Sequence, residues 1–263
     1  MSSIHPTALV AEGARLGENV TIGPYSVIGP EVTIGDDTTI GSHTLIEGVT
    51  RIGRGNRIFS HAVLGSIPQD LKYRGERVRL EIGDGNTIRE FTLVNPGTEG
   101  GGGVTRIGSG NLLMGYVHVA HDVQIGDGCI LANAATLAGH VVLGDHVVVG
   151  GMTPIHQFVH VGDYAMIAGA SALSQDIPPF CMAEGNRAVL RGLNLTGLRR
   201  KLDRSTIDAL KAAYRRLFES GAPLRESAEA LARESEEEAV KKLCDFILNS
   251  TRGIPFKRKH DAH

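Results

Sequence analysis

The chain has no tryptophan, only 5 % aromatic residues and three cysteines in 263 positions. Without tryptophan, and with no matching set of aromatics interleaved with its basic residues, it lacks the make-up of a nucleic-acid-binding module. Cys129, Cys181 and Cys244 are too few and too scattered for a disulfide framework, and they lack zinc-finger spacing. They are expected to be reduced and buried. No apolar run approaches the roughly 20 residues of a membrane span, and the start, MSSIHPTALV, has neither a charged n-region nor a long apolar h-region. These absences predict a cytoplasmic protein with no transmembrane segment.

What the chain does have is a period. Aliphatic residues recur at every sixth position from Val10 through Leu16, Ile22 and Ile28 to Leu64, again at Ile82, Ile88 and Val94, and again from Ile107 to Leu173. A small or polar residue follows almost every one. Six matches neither the 3.6 of a helix nor strand alternation, so it belongs to a solenoid of short strands joined by tight corners, with the aliphatic side chain inside. The fold class expected is mainly β, a parallel β-helix of hexapeptide repeats over residues 1–186, followed by a small α-helical C-terminal domain over 187–263. In the latter, Ser205 with Asp208 and Ser235 with Glu238 read as capping boxes, Gly221 as a stop and Pro223 as a helix opener, giving three short helices. Charge divides at the same boundary. Residues 1–186 hold 10 Lys+Arg against 18 Asp+Glu, and residues 187–263 hold 17 against 11. The basic end, with Arg199, Arg200, Lys201 and Arg204, suits an acidic partner or a phosphate group.

Two segments interrupt the repeat, near 66–81 and 96–106. A regular solenoid has no structural need of them, so they are favoured places for binding. The first carries Gln69, Asp70, Lys72, Tyr73 and Arg74, and the second the glycines at 100–103.

The segments QDLKYRGE (69–76), NLLMGYVHVAHD (111–122), ILANAATLAGH (130–140), GGMTPIHQF (150–158) and GNRAVLRGLNLTGLRR (185–200) resemble the UDP-N-acetylglucosamine O-acyltransferases of lipid A biosynthesis. The likeness covers nearly the whole chain. It implies a left-handed β-helix with three hexads per turn, so that 18 residues separate vertical neighbours: His121 under Gly139 under Gln157, Asp122 under His140, and His118 under Thr136. It also implies a homotrimer with sites between subunits, no cofactor and no metal. The implied reaction moves a 3-hydroxyacyl group from acyl carrier protein to the 3-position of UDP-N-acetylglucosamine, the first step of lipid A biosynthesis.

Acyl transfer from a thioester to a hydroxyl needs a base and an oxyanion donor. His121 is the expected base, Asp122 its orienting carboxylate and the Gly139 N–H the oxyanion donor. No matching nucleophilic Ser or Cys is present, which favours direct attack. By resemblance, Asp70, Lys72 and His118 contact the sugar, and His140 recognises the acyl hydroxyl. His156, Gln157, Asn194 and Arg200 contact the uridine and pyrophosphate. Gly169 ends a column with Gly115, Asn133 and Gly151, along which the acyl chain is expected to lie. Where many relatives carry His-Arg this chain has Asn95-Pro96, and Thr196 stands at a commonly acidic position. The acceptor therefore stays open between the 3-hydroxyl sugar and its 3-amino analogue. A different class, a metal-dependent carbonic anhydrase-like β-helix with His118, His121 and His140 as ligands, leaves the QDLKY and HQF segments without a purpose.

Overall fold

The computed structural model describes residues 2–256. Twenty-five short strands from Ser3–Ile4 to Met166–Ile167 wind into a left-handed β-helix of three parallel sheets. Sheet A begins at Ser3–Ile4, sheet B at Leu9–Val10 and sheet C at Arg15–Leu16. The pairing register is 18 in uninterrupted stretches, as in Ile4↔Ile22 and His118↔Thr136. Across the two insertions it widens, so that Ile58 pairs with Ile88 and Ile88 with Leu113.

Most strands are two residues long because the second residue points inward and the chain must then turn; Val49–Ile52, Arg79–Ile82 and Val104–Ile107 run to four. The inward side chains Ile22, Ile34, Ile52, Leu80, Leu113, Leu131 and Leu137 are fully buried and stack into one continuous core. Aromatic rings are too wide for such a column and move to the corners. Tyr25, His43, His61, Phe91 and Tyr116 form an outer stack with centroids about 5 Å apart between sheets A and B. The interior also holds a polar ladder absent from the sequence reading. Asn56, Asn86 and Asn111 are buried, and each side-chain carbonyl accepts the backbone N–H one rung above. That contact satisfies donors a tight corner would otherwise orphan.

Beyond Ile167 the solenoid does not stop abruptly. Cys181–Glu184 adds to sheet A in parallel, and Val189–Leu193 returns antiparallel beside it. Four α-helical segments follow, one more than the sequence predicts: α1 (Leu195–Leu198), α2 (Arg204–Tyr214), α3 (Leu224–Glu234) and α4 (Glu238–Asn249). Neither predicted capping box forms. Asp203 caps α2 by accepting from the Thr206 N–H, and Ser205 instead donates to Asp203. Ser235 accepts from the Glu237 N–H ahead of α4. Asp was the stronger cap, since its charge also faces the helix dipole. The three cysteines are buried free thiols, and burial pushes the Cys129 thiol up to about 12. The predicted helical region to residue 263 runs beyond the described residues.

Candidate active site

The three corners of the prism form three edges, and the expected site residues divide among them. The edge between sheets B and C carries the largest group. His121 follows the sheet B strand His118–Val119 and lies directly beneath Gly139. A Cβ added to Gly139 would come within 2.6 Å of the His121 ring, so only glycine leaves the imidazole in place. Among the described residues, no acceptor takes the Gly139 N–H. Asp122, His140 and Phe158, one above another, all take the left-handed conformation that the corner demands, with φ of 61°, 61° and 63°. His140 stacks on Phe158 at 4.4 Å and meets the His121 ring edge-on at 5.1 Å.

Asp122 is almost wholly buried, and its carboxylate is held from three directions. The His121 Nδ1 lies 2.8 Å from Oδ2, the Thr98 hydroxyl donates to Oδ2 at 2.6 Å, and the Thr98 N–H donates to Oδ1 at 2.8 Å. The carboxylate can only accept, so the His121 proton sits on Nδ1, and Nε2 keeps the free lone pair a base requires. Thr98 was missed from sequence because it belongs to the second insertion, 24 residues before Asp122. Its only written sign was the Gly-Thr pair ahead of the glycine run. The run now has a reason: a side chain at Gly101 would lie 2.0 Å from the Asp122 carboxylate carbon. This insertion closes over the Asp122 carboxylate.

Thr98→Val keeps the backbone contact and removes the hydroxyl one. A lost hydrogen bond to a buried charge is expected to cost about 1.5–3 kcal/mol in stability and roughly tenfold in kcat. Steady-state kinetics beside thermal melting would check it, and a lowered melting temperature with unchanged kcat would make Thr98 structural only.

The first insertion comes within electrostatic reach of this edge, since the charges of Asp70 and Lys72 both act on His140. The Asp70 carboxylate accepts the Lys72 N–H, and Leu71 between them is 96 % exposed. Asn95, one of the departures from the family pattern, is buried and donates to the carbonyls of Ser66 and Ile67. It anchors the root of that loop. His118 faces outward from sheet B, and its Nδ1 is buried with no hydrogen-bond partner among the described residues. Burial holds His118 and His140 below the ordinary imidazole range, so both are neutral at pH 7. His156 and Gln157 sit two rungs above His121, exposed.

Asn194 and Arg200 lie elsewhere. Asn194 caps α1 and donates to the Tyr164 carbonyl, on the edge between sheets C and A where His146, Tyr164 and Phe180 stack. Gly169 belongs to the third edge, between sheets A and B, following Met166–Ile167. Its column is not uniformly small, because the Asn133 amide lies 3.2 Å from where a Gly115 Cβ would stand. One chain therefore gathers Asp70, Lys72, His118, His121, Asp122, Gly139, His140, His156 and Gln157 along one edge, and leaves Asn194 and Gly169 on other edges, with Arg200 exposed just beyond α1.

His121, Asp122 and His140 place one ligand atom each within 4.8 Å of one another. His118, offered from sequence as a third ligand, falls outside this group. The group also fits an ion poorly, since both Asp122 oxygens already accept hydrogen bonds from Thr98 and His121. A cleft of about 670 Å³, lined by Arg51, Glu81, Arg106 and Asp127, opens on sheet C and is removed from the His121 edge.

The sequence and the architecture match known proteins along their full length. A curated acyl-[acyl-carrier-protein]–UDP-N-acetylglucosamine O-acyltransferase from Sulfurovum is 68 % identical, covering 98 % of this chain and 100 % of the relative. The chain belongs to the UDP-N-acetylglucosamine O-acyltransferase family. An Aliarcobacter butzleri member is 64 % identical, with 98 % and 100 % covered. The solved UDP-N-acetylglucosamine acyltransferase from Campylobacter jejuni superposes with a TM-score of 0.94 at 51 % identity, covering 97 % of this chain and 100 % of that one. The family model described as UDP N-acetylglucosamine O-acyltransferase, domain 2, matches residues 176–255, and bacterial transferase hexapeptide models match 13–48 and 105–139. No helix among the described residues is long and apolar enough to cross a membrane.

Proposed function

We propose that the protein transfers a 3-hydroxyacyl group from acyl carrier protein to the 3-hydroxyl of UDP-N-acetylglucosamine, opening lipid A biosynthesis in the cytoplasm. The observation that carries this is the Thr98–Asp122–His121 chain beneath Gly139. His121 Nε2 takes the proton of the sugar hydroxyl as its oxygen attacks the thioester carbonyl. Asp122 steadies the imidazolium that forms, and the uncommitted Gly139 N–H stabilises the oxyanion. Collapse of the tetrahedral intermediate breaks the C–S bond, and the imidazolium returns the proton to the leaving thiolate. Asp70, Lys72 and His118 hold the sugar, and His140 reads the acyl hydroxyl. Products formed from a panel of carrier thioesters with the 3-hydroxyl and 3-amino nucleotide sugars test the reading; no transfer to either sugar would end it, and preference for the amine would shift the acceptor.

The working enzyme in this reading is a homotrimer. Asn194, expected at the nucleotide, caps α1 on a different edge from His121, which supports a site completed by a neighbouring chain. Sheet B also presents an outward apolar stripe, with Leu9 67 % and Val27 39 % exposed, continuing through Leu45, Val63 and Leu93 to His118. Such a stripe is suited to packing about a threefold axis. In that assembly a neighbour supplies Asn194 and Arg200, and the Gly169 edge receives the acyl chain. Co-expressed His121→Ala and Arg200→Ala chains, each inactive alone, are expected to regain about a quarter of wild-type activity, because a random quarter of the interfaces pair two intact edges. No recovery in the mixed oligomer would place both residues in one chain's site.

A further inference from the structure

The last described segment folds back over the end of the solenoid and delivers an arginine to the catalytic edge. Ser250 donates to the buried Asp176 carboxylate at 2.6 Å, the Asp176 N–H donates to the Gly253 carbonyl, and the Leu190 N–H donates to Pro255. Between these anchors the Arg252 side chain lies along the surface toward His156. Its Nε donates to the Ser174 carbonyl at 3.1 Å, and its Nη2 approaches His156 Nδ1 at 3.4 Å, across 96 residues of sequence. Among the described residues, no carboxylate forms an ion pair with the guanidinium; the Asp176 carboxylate accepts from Arg252 only through its backbone N–H, at 3.4 Å, which leaves guanidinium N–H groups for a ligand.

Two groups compete for His156 Nδ1. The Gln157 carbonyl, 3.2 Å away, can only accept, whereas Arg252 can only donate. Donation from Arg252 leaves Nδ1 as acceptor and puts the ring proton on Nε2. The pair then offers two kinds of donor at one place, a guanidinium fork and an imidazole N–H, both partly open to solvent. That is the chemistry that recognises phosphate oxygens.

We propose that Arg252 joins His156, already expected at the pyrophosphate, in a phosphate-binding site, as its charged member and as the group that sets the His156 tautomer. The proposal rests on the acyltransferase reading for what brings the phosphate: the diphosphate of the sugar nucleotide or the phosphodiester of the donor's pantetheine arm. Full-length wild type, Arg252→Gln and Arg252→Lys would be compared by calorimetry with inorganic pyrophosphate, UDP and 4′-phosphopantetheine, and by KM for each substrate.

The expected result is about a 10-fold loss of pyrophosphate affinity in Arg252→Gln, the size of one charge-assisted hydrogen bond, partly restored in Arg252→Lys. A parallel loss for UDP and a raised KM for the sugar nucleotide, with kcat little changed, assigns the site to the nucleotide; a loss for 4′-phosphopantetheine and a raised donor KM assigns it to the carrier arm. Unchanged affinity for all three probes would overturn it. So would a lowered melting temperature with all affinities reduced and no recovery by lysine, which would make Arg252 a strap only. Pyrophosphate binding is read without turnover, so a wild type that binds it but acylates neither sugar condemns the functional reading and leaves this site standing.

Discussion

His121→Ala is expected to lower kcat by about 10²- to 10⁴-fold, the contribution of a positioned general base, while the melting temperature stays near wild type. The stability half follows from where the ring sits. It is on the outer side of the corner and contributes to none of the stacked aliphatic core. Removing it leaves the Asp122 carboxylate with both Thr98 contacts still made, so no buried charge is stranded without a donor. Turnover by purified protein, read together with a melting curve, checks both halves. Near wild-type kcat would remove His121 from the chemistry, and a large fall in melting temperature would make any loss of activity ambiguous between folding and catalysis.

The opposite pattern is expected for Leu131→Ala. Leu131 is completely buried and is stacked between Leu113 and Val149 in the interior column. Truncation removes transfer energy and leaves a cavity that rigid rungs above and below cannot fill, at a cost of about 2–5 kcal/mol. Each rung touches only its neighbours, so a gap in mid-stack breaks the continuity through which the solenoid holds together. Denaturant unfolding measures the loss. A change below about 1 kcal/mol would mean that the column relaxes around the gap and that the interior is more plastic than its packing indicates.

The hexad made the solenoid legible because one physical requirement, an aliphatic inside and a tight corner after it, is written at every repeat. The same regularity made the His121, Asp122, Gly139 and His140 columns a matter of counting in eighteens. Counting stops where the repeat is interrupted. His61 stacks on Phe91 across the first insertion, and Thr98 grips Asp122 from inside the second. Neither spacing follows from the period, because the chain path of an insertion is set by its own contacts. Arg252 was hidden for a further reason. Its arrival at His156 depends on how the C-terminal segment is pinned to Asp176, a contact between side chains with no local pattern in sequence. In the helical region the two capping boxes matched their motif, yet Asp203, two residues earlier, won the first cap by offering a charged acceptor to the Thr206 N–H.

The division of the site between separate edges has a genetic consequence. In the proposed threefold ring each chain would lend its His121 edge to one site and its Asn194 edge to another. A chain defective at both edges therefore silences two of the ring's sites and spares the one built wholly by its companions. Such an allele, expressed beside a normal copy, would behave as dominant, and its severity would rise with dose far more steeply than that of a simple null.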